Sequence, residues 1–175
     1  VSPNWLDQPF KLLEERPDVA ACQPKVLSYN TPTYLEHAGA AGGFIDRLGY
    51  PFCRGRIFFS VEEDHPNYAD QREIFWATGA CLIIRAKLFH EVGGFDEDFF
   101  AHMEEIDLCW RLKNYGYKIY YCGKSTIYHV GGGTLHKSNP KKTYLNFRNG
   151  LSLLHKNLRS PYFGLILFAR LVLDG

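Results

Sequence analysis

The sequence predicts an α/β domain, in which helices pack against a sheet of strands. Two observations lead to this fold class. Short, strongly apolar runs alternate with amphipathic helical patterns along residues 1–130, and glycines follow several of the helical patterns. The chain has 175 residues, of which 46% are hydrophobic, enough for one domain with a substantial core. Its 22% charged and 15% aromatic content excludes a disordered chain.

The first elements are a helix and a strand. Ser2 and Pro3 have the residue types of a helix cap and a first helical position, and residues 5–13 place apolar side chains on one helical face. The apolar run 19–23 predicts a buried strand. Residues 24–75 are rich in glycine, proline and aromatic side chains and show little periodicity. We therefore expect a loop-built functional surface there.

The alternation continues through the second half of the chain. The run 80–84 is apolar throughout, which is typical of a central strand covered on both faces. The other predicted elements are helices at 86–92 and 104–115, the second ended by Gly116, strands at 118–122 and 126–129, and a glycine break at 131–133.

The chain divides by charge near residue 136. Residues 1–135 carry a net charge of −5 and residues 136–175 carry +6, although the whole chain carries +1. A net charge of +1 for the whole chain gives no indication of a nucleic-acid partner. The tail ends in an almost wholly apolar run, 162–173, which is shorter than the roughly 20 residues needed to span a bilayer. We expect basic amphipathic helices at an anionic membrane surface; helices packed on the domain are the alternative.

A cluster of acidic residues at the start of the helix 104–115 is the strongest polar signal. Glu104, Glu105 and Asp107 open a helix that is otherwise largely apolar. Acidic residues in a first turn favour the helix dipole, and Asp107 has the spacing of an i,i+4 pair with Arg111. Crowded, partly desolvated carboxylates also raise one another's pKa, which a general base near neutral pH requires. The local pattern leaves both interpretations open.

Two further polar positions lie near this helix in the sequence. His129 ends a predicted strand before the glycine break, from where an imidazole can bind a metal, although a lone histidine is more often structural. Asp96 begins an Asp-Glu-Asp segment in a loop between two helices. Because this segment does not follow a buried strand, we expect Asp96 to brace the loop before Glu104 and not to bind metal.

Taken together, these segments resemble family 2 glycosyltransferases, in particular the rhamnosyltransferase-like members with the GT-A fold. The likeness runs in order over residues 1–135, and its segments are WATGA at 76–80, CLIIR at 81–85, FHEVGGFDE at 89–97, EEIDL at 104–108 and YHVGGG at 128–133. The resemblance implies that 1–135 is the C-terminal, acceptor-side half of a Rossmann-like GT-A domain with a mixed sheet. The basic, membrane-proximal helical tail is then 136–175. A donor-binding half with a D-x-D motif would precede Val1, so we expect the chain alone to be inactive.

The resemblance also implies roles for individual residues. Glu105 is the expected catalytic base, which deprotonates the acceptor hydroxyl as it attacks the donor's anomeric carbon with inversion, and Glu104 is the neighbouring candidate. Asp107 would orient the helix terminus or contact the acceptor. His129 would join the D-x-D motif in holding a divalent cation, Mn²⁺ or Mg²⁺. The residues implied to line the substrate pocket are Trp76, Thr78, Gly79 and Ala80.

Three more residues are candidates on the substrate side. Arg54 and Arg56, among aromatic neighbours, offer cationic surface for a glycolipid headgroup or its phosphate, and an ordinary packed surface loop is the alternative. Asp96 is included for its place beside the acidic cluster.

The sequence thus predicts part of an inverting glycosyltransferase in cell-surface polysaccharide synthesis. The expected substrates are a nucleotide-diphosphate sugar donor and a glycan or lipid-linked acceptor. We expect a peripheral location at the cytoplasmic face of a bacterial plasma membrane. A non-catalytic carbohydrate-binding or membrane-surface scaffold module is the alternative.

Overall fold

The structure, a computed structural model, describes residues 1–131 and 140–174. Its elements in chain order are α1 (Asp7–Glu15), β1 (Val19–Ser28), β2 (Gly43–Ile45), β3 (Pro51–Cys53), β4 (Arg56–Ile57), β5 (Ser60–Val61), β6 (Gln71–Ile74), β7 (Ile83–Ile84), α2 (Ala86–Glu91), α3 (Glu104–Asn114), β8 (Lys118–His129), α4 (Pro140–Asn157) and α5 (Phe163–Asp174). Short 3-10 helices lie at Pro66–Ala69 and Glu97–Phe99.

A four-stranded sheet in the order β6-β8-β1-β7 forms the centre of the fold. The two long strands β1 and β8 run parallel, and the edge strands β6 and β7 are antiparallel to them. Nine consecutive residues of β1 are buried, because both faces of this strand are covered. The predicted α/β class with a mixed sheet and C-terminal helices is confirmed.

Helices cover the two faces of the sheet. On one face α3 contributes Leu108 and Leu112, both fully buried, to the main apolar cluster. On the other face Leu12 of α1 packs with Cys22 and Cys122 from the two central strands. The apolar stripes of two helices thereby fix the central strand pair, whose carboxyl ends lead toward the candidate site.

Three predicted elements differ from the structure. The helix α1 begins at Asp7, because Ser2 does not cap it; the Ser2 hydroxyl and backbone N–H both donate to the Thr126 carbonyl, at 3.0 and 3.1 Å. The predicted central strand 80–84 is reduced to the edge strand β7, since a turn closes between Thr78 and Cys81. The predicted strands 118–122 and 126–129 form one strand, β8, interrupted by a register shift.

The region 24–75 is a folded layer. It contains two small hairpins, β2–β3 and β4–β5, and ends in the edge strand β6. Leu35 and Tyr68 from this region are buried in the main core, whereas Phe58 and Phe59 at the tip of β4–β5 are 87% and 94% exposed. Much of the region therefore serves packing, with an exposed aromatic tip.

The C-terminal helices pack on the domain. α4 lies against α3 and buries Leu145, Leu153 and Leu154, and α5 packs against α4. Within residues 1–131 and 140–174, no helix combines the length and apolarity needed to cross a membrane. The glycines at 132 and 133 and the first part of the predicted tail, 136–139, lie outside the described residues.

Candidate active site

A strained loop determines where α3, the helix with the acidic cluster, begins. Phe100, His102 and Met103 have positive φ values of 59°, 69° and 75°, and Met103 immediately precedes the helix. Such conformations cost a non-glycine residue roughly 1–2 kcal/mol each. Strain of this kind persists only where surrounding contacts hold it, and it is frequent at active sites.

Glu105, in the first turn of α3, has the environment of a general base. Its side chain is partly buried, and its Oε2 atom has no hydrogen-bond partner among the described residues. Burial raises the pKa of Glu105, the Glu104 charge adds to the rise, and backbone N–H groups including that of Gly79 oppose it; together they bring the pKa to about 7. A carboxyl group with this pKa exchanges a proton readily near neutral pH.

Glu104 lies beside Glu105 and is also partly buried. Its Oε2 atom likewise lacks a hydrogen-bond partner within the described part of the chain. Glu104 acts on its neighbour mainly through charge, because a second carboxylate nearby disfavours ionisation of the first.

Asp107 occupies a different environment on the same helix. It is 0% exposed, and its carboxylate accepts hydrogen bonds from Arg111, Lys156 and Asn157 at 2.8, 2.9 and 2.8 Å. The pair with Arg111 predicted from the i,i+4 spacing is thus confirmed. A contact of Asp107 with an acceptor is not compatible with this burial; the carboxylate joins α3 to α4 instead.

The segment 76–80 divides into buried and accessible residues. Trp76 is 6% exposed and donates its indole N–H to the Phe44 carbonyl at 2.9 Å, and Thr78 is 2% exposed. Both side chains are thus buried among other residues of the domain, and their predicted place in the substrate pocket stays a prediction. Gly79 is exposed and Ala80 partly exposed, and a Cβ at Gly79 would stand 3.9 Å from Glu105 Oε1.

The segment 36–39, which the sequence analysis did not single out, lies between the predicted base and the predicted metal ligand. Gly39 has a φ of 98°, and a Cβ there would stand 2.4 Å from Thr78 Cβ, so glycine is required. The Thr78 hydroxyl donates to the Ala38 carbonyl at 3.3 Å. The buried amide of Gln23 joins the two segments, accepting from the Thr78 N–H at 2.9 Å and donating to the Gly39 carbonyl at 3.3 Å.

Glu36 begins this segment and faces His129 at the end of β8. Its side chain is 10% exposed, and its Oε2 atom accepts the Ala38 N–H at 2.6 Å and lies 3.5 Å from His129 Nδ1. Burial raises the pKa of the Cys53 thiol; the charge of Arg56 and a hydrogen bond from the Gly39 backbone oppose the rise, and the charges of Glu105 and Glu36 add to it. Glu36 lies outside any predicted strand or helix, so the sequence carried no signal for it beyond its place near Gly39.

His129 fits part of a metal site. Its Nδ1 is inaccessible to solvent and has no hydrogen-bond partner among the described residues, while the side chain is 36% exposed. A carboxylate behind one ring nitrogen commonly orients a histidine that binds metal through the other. Within the described ranges no group of three or more histidine, cysteine or carboxylate side chains is arranged to hold a metal ion.

The remaining candidates make internal contacts. Asp96 accepts the Asp98 N–H at 3.0 Å and the Lys156 ammonium at 2.6 Å, as expected for a residue that braces the loop before Glu104. Arg54 pairs with Asp70 at 2.8 Å and stacks on Tyr68.

Arg56 is held by the segment 36–39. Its guanidinium donates to the His37 carbonyl at 2.6 Å. A phosphate-binding role for Arg54 and Arg56 would require these internal contacts to be given up, so the structure favours the packed-loop alternative for both.

A cavity of about 500 Å³ opens beside Glu36. Its lining includes Ser28, Thr31, Glu36, Phe59, Gly131 and Lys142. An aromatic ring, hydroxyls, a carboxylate and an ammonium group around one cavity are a combination suited to a polyhydroxylated ligand.

Comparison with known proteins identifies similar sequences. The family model described as glycosyl transferase family group 2 matches residues 1–146. The O-antigen biosynthesis protein RfbC of Myxococcus xanthus is 32% identical over 132 residues, which are 74% of this chain and 10% of that protein. The N-acetylglucosaminyl-diphospho-decaprenol L-rhamnosyltransferase of Mycobacterium tuberculosis is 39% identical over 59 residues, 34% of this chain and 19% of that protein.

A further relative is the rhamnosyltransferase WbbL of Escherichia coli, 39% identical over 46 residues, which are 26% of this chain and 17% of that protein. The chain thus spans between 10% and 19% of the lengths of these three curated relatives.

Proposed function

The chain belongs to glycosyl transferase family group 2, and from this membership we propose that it forms the acceptor-side part of an inverting glycosyltransferase. The donor is a nucleotide-diphosphate sugar, and the acceptor is a glycan or a lipid-linked sugar used in cell-surface polysaccharide synthesis. The observation that carries the proposal is Glu105, a partly buried carboxyl group with an unpartnered oxygen and a pKa of about 7.

In this reaction Glu105 acts as the base. Its ionised carboxylate takes the proton of the acceptor hydroxyl as the hydroxyl oxygen forms a bond to the anomeric carbon of the donor. The bond from that carbon to the diphosphate breaks with its electron pair leaving on the diphosphate, and the configuration inverts. The proton stays on Glu105 until water removes it, which a pKa near 7 allows.

Neighbouring residues of this chain support that step. Gly79 lies beside Glu105, where an added Cβ would stand 3.9 Å from Oε1, and its backbone helps to limit the rise in the pKa of Glu105. Glu104 keeps the pKa of Glu105 high through its charge. Asp107 is a positioning residue, which links α3 to α4 through Lys156 and Asn157.

We assign His129 to a divalent-cation site that also uses carboxylates outside the described residues. When bound, the cation, Mn²⁺ or Mg²⁺, would supply positive charge that stabilises the leaving diphosphate. Glu36 faces Nδ1 of His129 and leaves the other ring nitrogen for binding.

The names of the relatives suggest the substrates to test first. Two of them are named rhamnosyltransferases, and the Mycobacterium tuberculosis protein is named for an N-acetylglucosaminyl-diphospho-decaprenol acceptor. We therefore propose a nucleotide-diphosphate rhamnose as the first donor and this polyprenyl-linked sugar as the first acceptor.

We further propose that residues 136–175 hold the enzyme peripherally at the cytoplasmic face of a bacterial plasma membrane. The support is α5, on which Leu165, Phe168 and Val172 are 67%, 66% and 64% exposed along one side of the helix. An apolar helical face of this kind can lie in the interface of a bilayer.

The test is the substitution Glu105→Gln in the complete gene product, which keeps the side-chain size and removes the base. Transfer of rhamnose to the polyprenyl-linked acceptor should fall by about 10²–10⁴-fold. Donor affinity, measured by titration calorimetry, should change by less than about threefold, a difference well under 1 kcal/mol.

The matched control is Glu104→Gln, the same change at the adjacent residue. It should retain transfer within about tenfold at pH 8, because Glu105 remains ionised there. Wild-type transfer by Glu105→Gln would remove Glu105 from the mechanism, and loss of activity in both variants alike would show that the acidic cluster acts only as a unit.

A further inference from the structure

Asn149, on α4, binds the loop that precedes α3, the helix that carries Glu105. It is 1% exposed, and its Nδ2 donates to the carbonyl oxygens of Phe99, Ala101 and His102 at 2.9, 2.9 and 2.7 Å. One amide group thus bridges three of the four residues from 99 to 102. Glu105 follows three residues later.

This loop would not keep its conformation by local preference. The Ala101 N–H donates to the Phe99 carbonyl across Phe100, whose φ of 59° and ψ of −57° are those of a strained γ-turn. His102 and Met103 then follow with positive φ. Non-glycine residues occupy such conformations only where other contacts determine them, and the three carbonyl bonds from Asn149 are contacts of that kind.

Arg148 fixes the orientation of the Asn149 amide. Its Nε donates to Asn149 Oδ1 at 2.8 Å, so the amide nitrogen must face the loop. A second nitrogen of Arg148 donates to the Asp98 and Phe99 carbonyls at 2.8 and 3.2 Å. The pair Arg148–Asn149 therefore contacts every carbonyl from 98 to 102 except that of Phe100.

We propose that Asn149 is a positioning residue for Glu105, and that Arg148 acts with it by orienting its amide. This inference rests on the proposed role of Glu105 as base. Holding the strained loop fixes the first residue of α3 and so the position of the Glu105 carboxylate relative to the acceptor hydroxyl. Transfer rates depend steeply on such distances, since a displacement of about 1 Å can cost about 100-fold.

The test uses Asn149→Asp in the complete gene product, which preserves shape and removes the donors to the three carbonyls. We expect kcat to fall by about 100-fold while the acceptor KM stays within about threefold, because the base is misplaced and binding groups remain. Amide hydrogen exchange should become at least about tenfold faster at residues 100–106, with the central strands β1 and β8 unchanged. A role in stability alone would speed exchange throughout the domain.

The matched control is Asn146→Asp, the same change on the same helix, at a side chain that takes no part in the three carbonyl bonds. It should behave as wild type in both measurements. If Asn149→Asp does not fold, the variant Arg148→Met tests the proposal instead. It keeps the Asn149 amide and removes the hydrogen bond from Arg148 that orients this amide. We expect about 3–10-fold lower kcat and faster exchange in the same segment.

The proposal would be overturned if kcat of Asn149→Asp, or of Arg148→Met where the first variant does not fold, stayed within about twofold of wild type. Unchanged amide hydrogen exchange at residues 100–106 would also overturn it. Turnover by Glu105→Gln in the same assay would instead overturn the proposed function, and the exchange pattern would still show whether Asn149 holds the loop.

Discussion

Glu105 and Asp107 lie two positions apart on α3 and have opposite electrostatic environments. A helix turns about 200° over two residues, so their side chains leave on opposite sides. Asp107 is buried among two cations and an amide, and its charge is compensated. Glu105 has an unpartnered oxygen and a second carboxylate beside it, so its charged form is disfavoured. One carboxylate thus joins two helices, and the other has the environment that the proposed base requires.

The raised pKa of Glu105 predicts a pH-dependent gain of stability in Glu105→Gln. The pKa rises from 4.5 to about 7 on folding, so the folded chain binds this proton more tightly than the unfolded chain. Stability from this group is therefore complete below the unfolded value and falls as the pH rises through 7. At pH 8 the free energy of unfolding, measured in urea, should be about 3 kcal/mol higher for the variant than for wild type, and at pH 4.5 this gain should nearly vanish.

A suitable control is Glu14→Gln, the same change at an exposed position of α1. It should alter the free energy of unfolding by a similar small amount at both pH values. A gain for Glu105→Gln that is equal at pH 4.5 and pH 8 would contradict the raised pKa.

The sequence predicted some site residues and could not predict others, for a physical reason. The acids of α3 stand together because they are adjacent in the chain, and His129 ends a strand with a strong pattern. Glu36 reaches His129 only because β1 and β8 pair in parallel, a contact between residues 93 positions apart. Trp76 belongs to one of the segments that resemble the family, yet its side chain is buried against Gly43. Membership of a sequence motif does not show which of its side chains face solvent.

At the scale of elements, the sequence of α4 predicted its secondary structure better than it predicted the partners of its charged side chains. Its amphipathic pattern predicted a helix, and the helix is present. Its basic residues were expected at an anionic membrane surface, whereas Arg148 and Lys156 bind carbonyls and carboxylates of the loop before α3 and of α3 itself. Long cationic side chains reach buried partners that the pattern of one helix cannot reveal.

For the strand β7 the sequence pattern was misleading about the secondary structure itself. Its run of apolar residues predicted a central strand, although only Ile83 and Ile84 pair, at the edge of the sheet. The preceding residues form the turn that presents Gly79 beside Glu105. An apolar run is therefore not sufficient to identify a strand where the same segment must also build a site.

At the scale of the whole molecule, the tail is joined to the domain by polar contacts and leaves one apolar face outward. Arg170 is 2% exposed, bonded to Asp174 at 2.9 Å and stacked on Tyr50, so the single cation of α5 faces inward. The outward side of α5 is apolar. Attachment to a membrane through this face would bring the bilayer close to α4, which contacts the loop 99–102 before α3.

The double substitution Phe168→Asp with Val172→Asp tests this attachment. Binding of the complete gene product to vesicles of phosphatidylethanolamine with 30% phosphatidylglycerol, roughly the anionic share that attracts basic segments, should weaken at least about tenfold. The measurement is co-sedimentation with the vesicles over a range of lipid concentrations.

The matched control is Phe58→Asp with Phe59→Asp, the same kind of change at the exposed tip of the hairpin β4–β5. It should leave vesicle binding unchanged. Equal losses in both double variants would show that the hairpin tip shares the contact, and no loss for the α5 variant would refute attachment through α5.

The central claim, that Glu105 is the base, is tested most directly by the pH dependence of kcat. For wild type, kcat should rise about tenfold per pH unit below 7 and level off above it, because the carboxyl group must be ionised to accept a proton. Glu104→Gln should shift this midpoint to lower pH, since the Glu104 charge raises the pKa of Glu105. Glu105→Gln should abolish the rise together with turnover. A Glu105→Gln enzyme that keeps the wild-type rate and midpoint would contradict the account.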